Sequence, residues 1–277
     1  MHESYGFDSY SPQEIAERVQ KIGVVKARLP LLQTVMLGVL AGAFIGLGAL
    51  YYTLVLSDAS LGFAASRLAG GVCFSMGLLM VVVAGAELFT GNNLLAMAWA
   101  AGSISSTEVL RNWALVCAAN FVGAVGLAML VFLSGHWQLN DGAIGQTYLK
   151  IAAGKAALDP WSAFFRGVLC NVLVCMALWM AMSGRSVVDR FVAIALPISG
   201  FVAAGFEHSV ANMYYFPIAL LIKWSGAPLP SGAEAVTVSA MLANLGIVIA
   251  GNLVGGSVLV ALVYWVIYLR TTRPPSS

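Results

Sequence analysis

The sequence predicts an all-α membrane protein of six transmembrane helices, arranged as an inverted repeat with two broken helices. Composition is the first observation behind this reading. Of 277 residues 60% are hydrophobic and only 9% charged, where a soluble domain carries charge on about a quarter of its positions. The second is the distribution of apolar residues. Mean hydropathy is +0.88 over the whole length, in runs of about twenty residues and more, as bilayer-spanning helices require. The third is a pair of matching polar interruptions, one in each half of the chain.

Residues 1–30 form the first element, a cytoplasmic arm. Glu3, Asp8, Glu14, Glu17, Arg18, Lys21, Lys26 and Arg28 precede any apolar run, which is not the pattern of a cleavable leader. Ser11-Pro12-Gln13-Glu14 opens a capped helix with proline in its first turn. Ile15, Val19 and Ile22 then fall on one face, which predicts a short amphipathic surface helix.

The pore domain, 31–269, follows. Apolar segments lie near 31–56, 67–100, 109–134, 160–182, 190–224 and 240–269. The second and fifth, at 34 and 35 residues, would run roughly 50 Å as unbroken helices against a hydrocarbon core of about 30 Å. Each therefore needs an interruption. Gly85-Ala86-Glu87 with Thr90-Gly91-Asn92-Asn93 supplies one, and Gly205-Phe206-Glu207-His208 with Asn212 the other.

The two breaks align without a gap, as Ala84-Gly85-x-Glu87-x4-Asn92 and Ala204-Gly205-x-Glu207-x4-Asn212. Three spans separate them, so the second copy enters the membrane from the opposite side. Paired, interrupted segments of this kind point to a transport pathway. A carboxylate in hydrocarbon costs several kcal/mol unless paired or wet, so Glu87 and Glu207 need partners. The freed backbone N–H groups at the half-helix ends are the expected ones.

Nine Lys and Arg residues, in the arm, around Arg111, between Arg185 and Arg190, and at Arg270 and Arg273, fall on one side against five on the other. With six spans this places both termini, and the tail 270–277, in the cytoplasm. Cys73, Cys117, Cys170 and Cys175 sit inside apolar runs without metal-binding or redox spacing, so no metal or cofactor is expected. A net charge of +2 without basic runs excludes nucleic acid as a partner.

The stretches Val82-Val83-Ala84-Gly85-Ala86-Glu87-Leu88-Phe89-Thr90-Gly91, Gly167-Val168-Leu169-Cys170-Asn171-Val172-Leu173-Val174-Cys175 and Gly205-Phe206-Glu207-His208-Ser209-Val210-Ala211-Asn212-Met213 resemble the signatures of the formate/nitrite transporter family. Gly184-Arg185-Ser186 and the ending Tyr264-Trp265-Val266-Ile267-Tyr268-Leu269-Arg270 look most like its formate channel branch. Gly91-Asn92-Asn93 stands where enteric formate channels carry Ser-Thr. The resemblance implies an aquaporin-like protomer in the cell inner membrane, a homopentamer with one pore per subunit, and passage of formate or related small monovalent anions, nitrite and hydrosulfide remaining alternatives. By position it implies apolar constrictions at Phe74, Leu78 and Phe89 on one side of the pore and Phe201 on the other. It also implies a pore hydroxyl at Thr90, a central histidine at His208 beside Glu207, a polar group at Asn171, and anion-attracting lysines at Lys26 and Lys155.

Physical chemistry gives these residues a mechanism. An anion loses its hydration in an apolar constriction, whereas the neutral acid crosses at much lower cost. A lysine in each vestibule concentrates anions, and a histidine, with an ordinary pKa near 6.5, can supply the proton. A neutral-solute pore is the rival reading, but the paired Asn-Pro-Ala boxes of such pores are absent. An intramembrane enzyme using His136, His208 and acidic residues is disfavoured because no HExxH spacing or Gly-x-Ser-x-Gly elbow occurs.

Overall fold

A computed structural model describes residues 9–270. Residues 1–8 of the arm and 271–277 of the expected tail lie outside the described residues. The arm forms α1 (Pro12–Ala27). Glu14 N–H donates to Ser11 Oγ, and Ser11 N–H returns a 2.7 Å bond to Glu14 Oε2, the reciprocal capping that Ser-x-x-Glu encodes. Ile15 and Val19 are buried and Ile22 partly so. This face packs on Met97, Trp179 and Leu269, so α1 is docked on the helical body.

The first half continues with α2 (Leu31–Leu56), α3 (Phe63–Ala84), the short α4 (Leu95–Ala100) and α5 (Ser106–Leu133). The second half comprises α6 (Ala143–Ala156), α7 (Pro160–Ala181), α8 (Val187–Ala204), α9 (Ser209–Trp224) and a last span. That span begins as α10 (Val238–Leu253), passes through nine π-helical residues, Val254–Leu262, and ends as α11 (Val263–Tyr268). Among the described residues, six helical units are long and apolar enough to cross a bilayer, and no strand occurs.

Both predicted interruptions are present. α3 stops at Gly85 (φ 77°) and α8 at Gly205 (φ 73°), left-handed C-caps that a side chain would strain. The chain re-forms helix at α4 after a 3-10 turn, Gly91–Leu94, and directly at α9. The sequence reading placed no helix at 143–156, yet α6 forms there against α9. Its alanines and glycines give only a weak periodic signal, and its helicity rests on tertiary packing. With α6 counted, the repeat is complete: α1, α2, α3 and its break, and α5 correspond to α6, α7, α8 and its break, and α10.

Glycines set the helix spacing. A Cβ on Gly42 would lie 2.0 Å from Asn120 O, and one on Gly123 1.9 Å from Val39 O, so α2 and α5 touch backbone to backbone. Gly251 and Gly255 do the same for the last span against α7, at 2.3 Å from Phe164 O and 2.2 Å from Val168 O. Small residues at membrane helix contacts permit this approach.

Candidate functional site

The two breaks carry the same polar lattice. Lys26 Nζ donates to Glu87 Oε1 at 2.8 Å, and Lys155 Nζ to Glu207 Oε1 at 2.9 Å. Asn92 Nδ2 donates to Glu87 Oε2 and Asn212 Nδ2 to Glu207 Oε2, both at 2.7 Å. These amides also donate to Asn112 and Asn244. Asn120 Oδ1 accepts the Phe89 N–H and Asn252 Oδ1 the Ser209 N–H. This corrects the expectation that Glu87 and Glu207 receive freed backbone N–H groups. Asparagines cap those amides, and the carboxylates serve as counter-ions to the lysines. The physical reason is charge: a buried carboxylate gains more from an ammonium and an amide than from backbone N–H alone.

One difference between the halves stands out. Lys26 Nζ also donates to Asn92 Oδ1 at 3.0 Å, whereas Asn212 Oδ1 has no partner among the described residues.

His208 and Thr90 meet where the breaks approach each other. His208 Nε2 lies 3.0 Å from Thr90 Oγ1, and His208 Nδ1 accepts the Ala211 N–H at 3.1 Å, capping α9. A ring that accepts at Nδ1 carries its neutral-state proton on Nε2, so Thr90 is the acceptor and keeps its own hydroxyl proton to offer. Asn171 reaches the same place, donating to Thr90 O, Asn93 Oδ1 and Asn252 O. Its Oδ1 and the Ser209 hydroxyl are buried without partners among the described residues, which marks the spot as polar but incompletely satisfied.

Two cavities flank this centre. The first, about 260 Å³, is lined by Arg18, Lys26, Glu87, Leu88 and Arg190. The second, about 430 Å³, is lined by Arg67, Lys155, Arg166, Phe201 and His208. Phe74 also lines the second cavity, where its ring sits edge-on to Phe201 at 5.8 Å, and Phe201 stacks on His208 at 5.8 Å. The sequence reading put Phe74 with Leu78 and Phe89, opposite Phe201. The correction follows from helix geometry, since Phe74 lies one turn before Leu78 and so belongs to a different depth. Leu78 and Phe89 are buried and line neither cavity.

Leu88, which sequence reasoning did not single out, lines the first cavity. The signal for it was present, because the ungapped alignment of the breaks sets Leu88 opposite His208. Arg18, Arg67, Lys150, Arg166 and Arg190 were also missed. Long cations near span ends read as positive-inside anchors, and only the fold turns them toward a cavity. Among the described residues no three His, Cys, Asp or Glu side chains gather as a metal site would require.

A model of the formate/nitrite transporter family matches residues 13–266. The formate channel FocA of Escherichia coli K12 is 38% identical over 274 residues, covering 95% of this chain and 96% of the relative. Among solved structures, one described as a pentameric formate channel with formate bound matches with a TM-score of 0.80 at 35% identity, covering 87% of this chain and 98% of that one. Another, described as an FNT family ion channel, matches with a TM-score of 0.81 at 31% identity, covering 92% and 98%.

Proposed function

The chain belongs to the formate/nitrite transporter family, and from that premise we propose that it passes formate and related small monovalent anions across the cell inner membrane as a homopentamer with one pore per subunit. The relatives are channels, not enzymes. In this reading the anion enters one cavity, gains a proton at the Thr90–His208 centre, crosses the apolar passage as the weak acid, and leaves by the other.

The single observation that carries it is the buried Thr90–His208 pair, set between cavities that both carry excess positive charge. Phe74 and Phe201 on one side and Leu78, Leu88 and Phe89 on the other offer a bare anion nothing in place of water. The resemblance casts Lys26 and Lys155 as the residues that draw the anion inward, but Glu87 and Glu207 balance their charges. The long-range attraction therefore comes from the cations around them, Arg18 and Arg190 in the first cavity and Arg67, Lys150 and Arg166 in the second. Each paired lysine still has a proton to donate at short range.

The ring of His208 accepts at Nδ1, so the imidazolium form needs that acceptor to become a donor, which costs the cap on α9. Proton delivery in this reading is coupled to a small release of the α9 N-terminus. Nitrite and hydrosulfide satisfy the same chemistry. A neutral-solute pore does not need two cationic cavities or a titratable centre. Proteoliposome uptake of formate, nitrite and hydrosulfide, with glycerol as neutral control, tests the reading. Formate entry without glycerol entry is the expected result, and glycerol entry at equal rate contradicts it.

A further inference from the structure

We propose that the second cavity contains a docking site that reads planar, two-oxygen monoanions, with the Arg67 guanidinium as the reading group. The proposal rests on the functional reading above and names the feature of the anion that this mouth selects.

Charge accounting leads to it. The cavity wall carries Arg67, Lys150, Lys155 and Arg166 with one carboxylate, Glu207. Glu207 is fully engaged, Oε1 by Lys155 and Oε2 by Asn212. Arg67, Lys150 and Arg166 therefore face the cavity with no carboxylate partner among the described residues. Low-dielectric walls concentrate the resulting field on an entering anion.

Arg67 differs from the other two in being held. Its Nη1 donates to the buried Tyr52 hydroxyl at 3.0 Å, and its guanidinium carbon lies 5.4 Å from the Phe63 ring centre. Lys150 and Arg166 are exposed. Arg67 is also placed at the break, since a Cβ on Gly205 would lie 3.9 Å from Nη1. One N–H is thus spent on Tyr52, and the rest of a planar fork is presented to the cavity two residues before Glu207.

A fixed guanidinium distinguishes anions by shape. A carboxylate or nitrite offers two oxygens to two parallel N–H groups, whereas a single-centre anion such as chloride receives only the charge. Because Tyr52 and Phe63 already restrict the side chain, little ordering entropy remains to be lost on docking. The anion that docks here still lies outside the Phe74–Phe201 pair. Arg67 therefore sorts anions before dehydration, and the site should appear in saturation and competition, not in the width of the passage.

The test uses the full chain in proteoliposomes. Three quantities are measured: the half-saturating formate concentration, and the inhibition of formate uptake by nitrite and by chloride, each applied from the side of the second cavity. Arg67→Lys keeps the charge and loses the fork. It should raise the half-saturating formate concentration and weaken nitrite inhibition by about tenfold, the loss of roughly one good hydrogen bond, so that the preference for nitrite over chloride collapses. Arg67→Gln should raise the half-saturating formate concentration and weaken inhibition by both nitrite and chloride. Tyr52→Phe, which frees the guanidinium but keeps its charge, should lie between wild type and Arg67→Lys. Equal shifts for nitrite and chloride in Arg67→Lys, or wild-type values in a variant that elutes at wild-type oligomer size, would overturn the docking site while leaving the transport reading intact. Wild-type protein that takes up none of these anions would overturn the transport reading, and the docking site with it.

Discussion

Thr90 Oγ1 sits 3.0 Å from His208 Nε2, and the Ala211 N–H held by His208 Nδ1 decides the direction of that bond. The histidine gives and the threonine receives. The pair joins the two breaks across the pseudo-symmetry, since Thr90 follows Glu87 in the first and His208 follows Glu207 in the second. In the proposed passage the ring first takes a proton at Nδ1, which costs the cap on α9. The imidazolium then passes its Nε2 proton to Thr90 Oγ1 as that hydroxyl gives its own to the anion, leaving a neutral ring protonated at Nδ1.

The constriction gives the first prediction. Phe201→Ala removes the ring that stacks on His208 and meets Phe74, and Leu78→Ala or Leu88→Ala shortens the side chains proposed to narrow the opposite side. Each should raise the rate for lactate-sized monovalent anions several-fold with assembly intact. Uptake of labelled lactate in proteoliposomes is the measurement, and an unchanged rate in all three variants means the narrow points lie elsewhere.

Topology gives the second. The even number of spans and the packing of α1 on the end of the last span put both described ends on one side, and the Lys/Arg bias predicts that this side faces the cytoplasm. Reporter fusions at the C-terminus should be active only as cytoplasmic fusions. Activity of a periplasm-dependent reporter there would reverse the orientation.

The third concerns the charged pairs. Glu207→Gln leaves Lys155, whose side chain is only 13% exposed, without its counter-ion, whereas Lys26 in the first pair is 27% exposed. Removing one partner of a buried pair costs about 3–5 kcal/mol. Glu207→Gln should therefore lower the thermal unfolding midpoint of the detergent-solubilised protein more than Glu87→Gln does. The reverse order would mean that water in the second cavity solvates Lys155 well enough to replace the carboxylate.

The fourth tests the close helix contacts. Gly123→Ala drives a methyl group into Val39 O, and rigid backbone on the other side cannot yield. Gly126→Ala, on the same helix but with open space at the Cβ, is the control. Gel filtration should show loss of folded oligomer for Gly123→Ala alone, and equal yields would show that α2 and α5 can part without cost.

Much of the fold was legible in the sequence because hydrophobic length is imposed by the bilayer. A span of 34 residues had to break, and Gly85 and Gly205 announced where. The pairing of Lys26 with Glu87 and Lys155 with Glu207 was not legible, because these contacts join residues 61 and 52 positions apart across elements whose packing no local pattern encodes. α6 escaped for a related reason: its helicity depends on α9. Phe74 was assigned to the wrong side because resemblance supplies positions along the chain, while depth in the membrane follows from helical rise. Leu88 was legible and overlooked, since the alignment of the breaks already set it opposite His208.

The proposed passage turns on His208 as the source of the proton that lets the anion cross. Its direct test is formate uptake into liposomes across pH 5 to 8, comparing wild type with His208→Asn, alongside a check of oligomer size. Asparagine keeps polarity and can cap α9, but it does not titrate near neutral pH. The variant should assemble normally, lose the pH dependence, and carry formate at least about a hundredfold more slowly, the lower bound of a general acid's contribution. An unchanged rate and pH profile in a correctly assembled variant would contradict it, leaving His208 as the residue that caps α9 and holds Thr90.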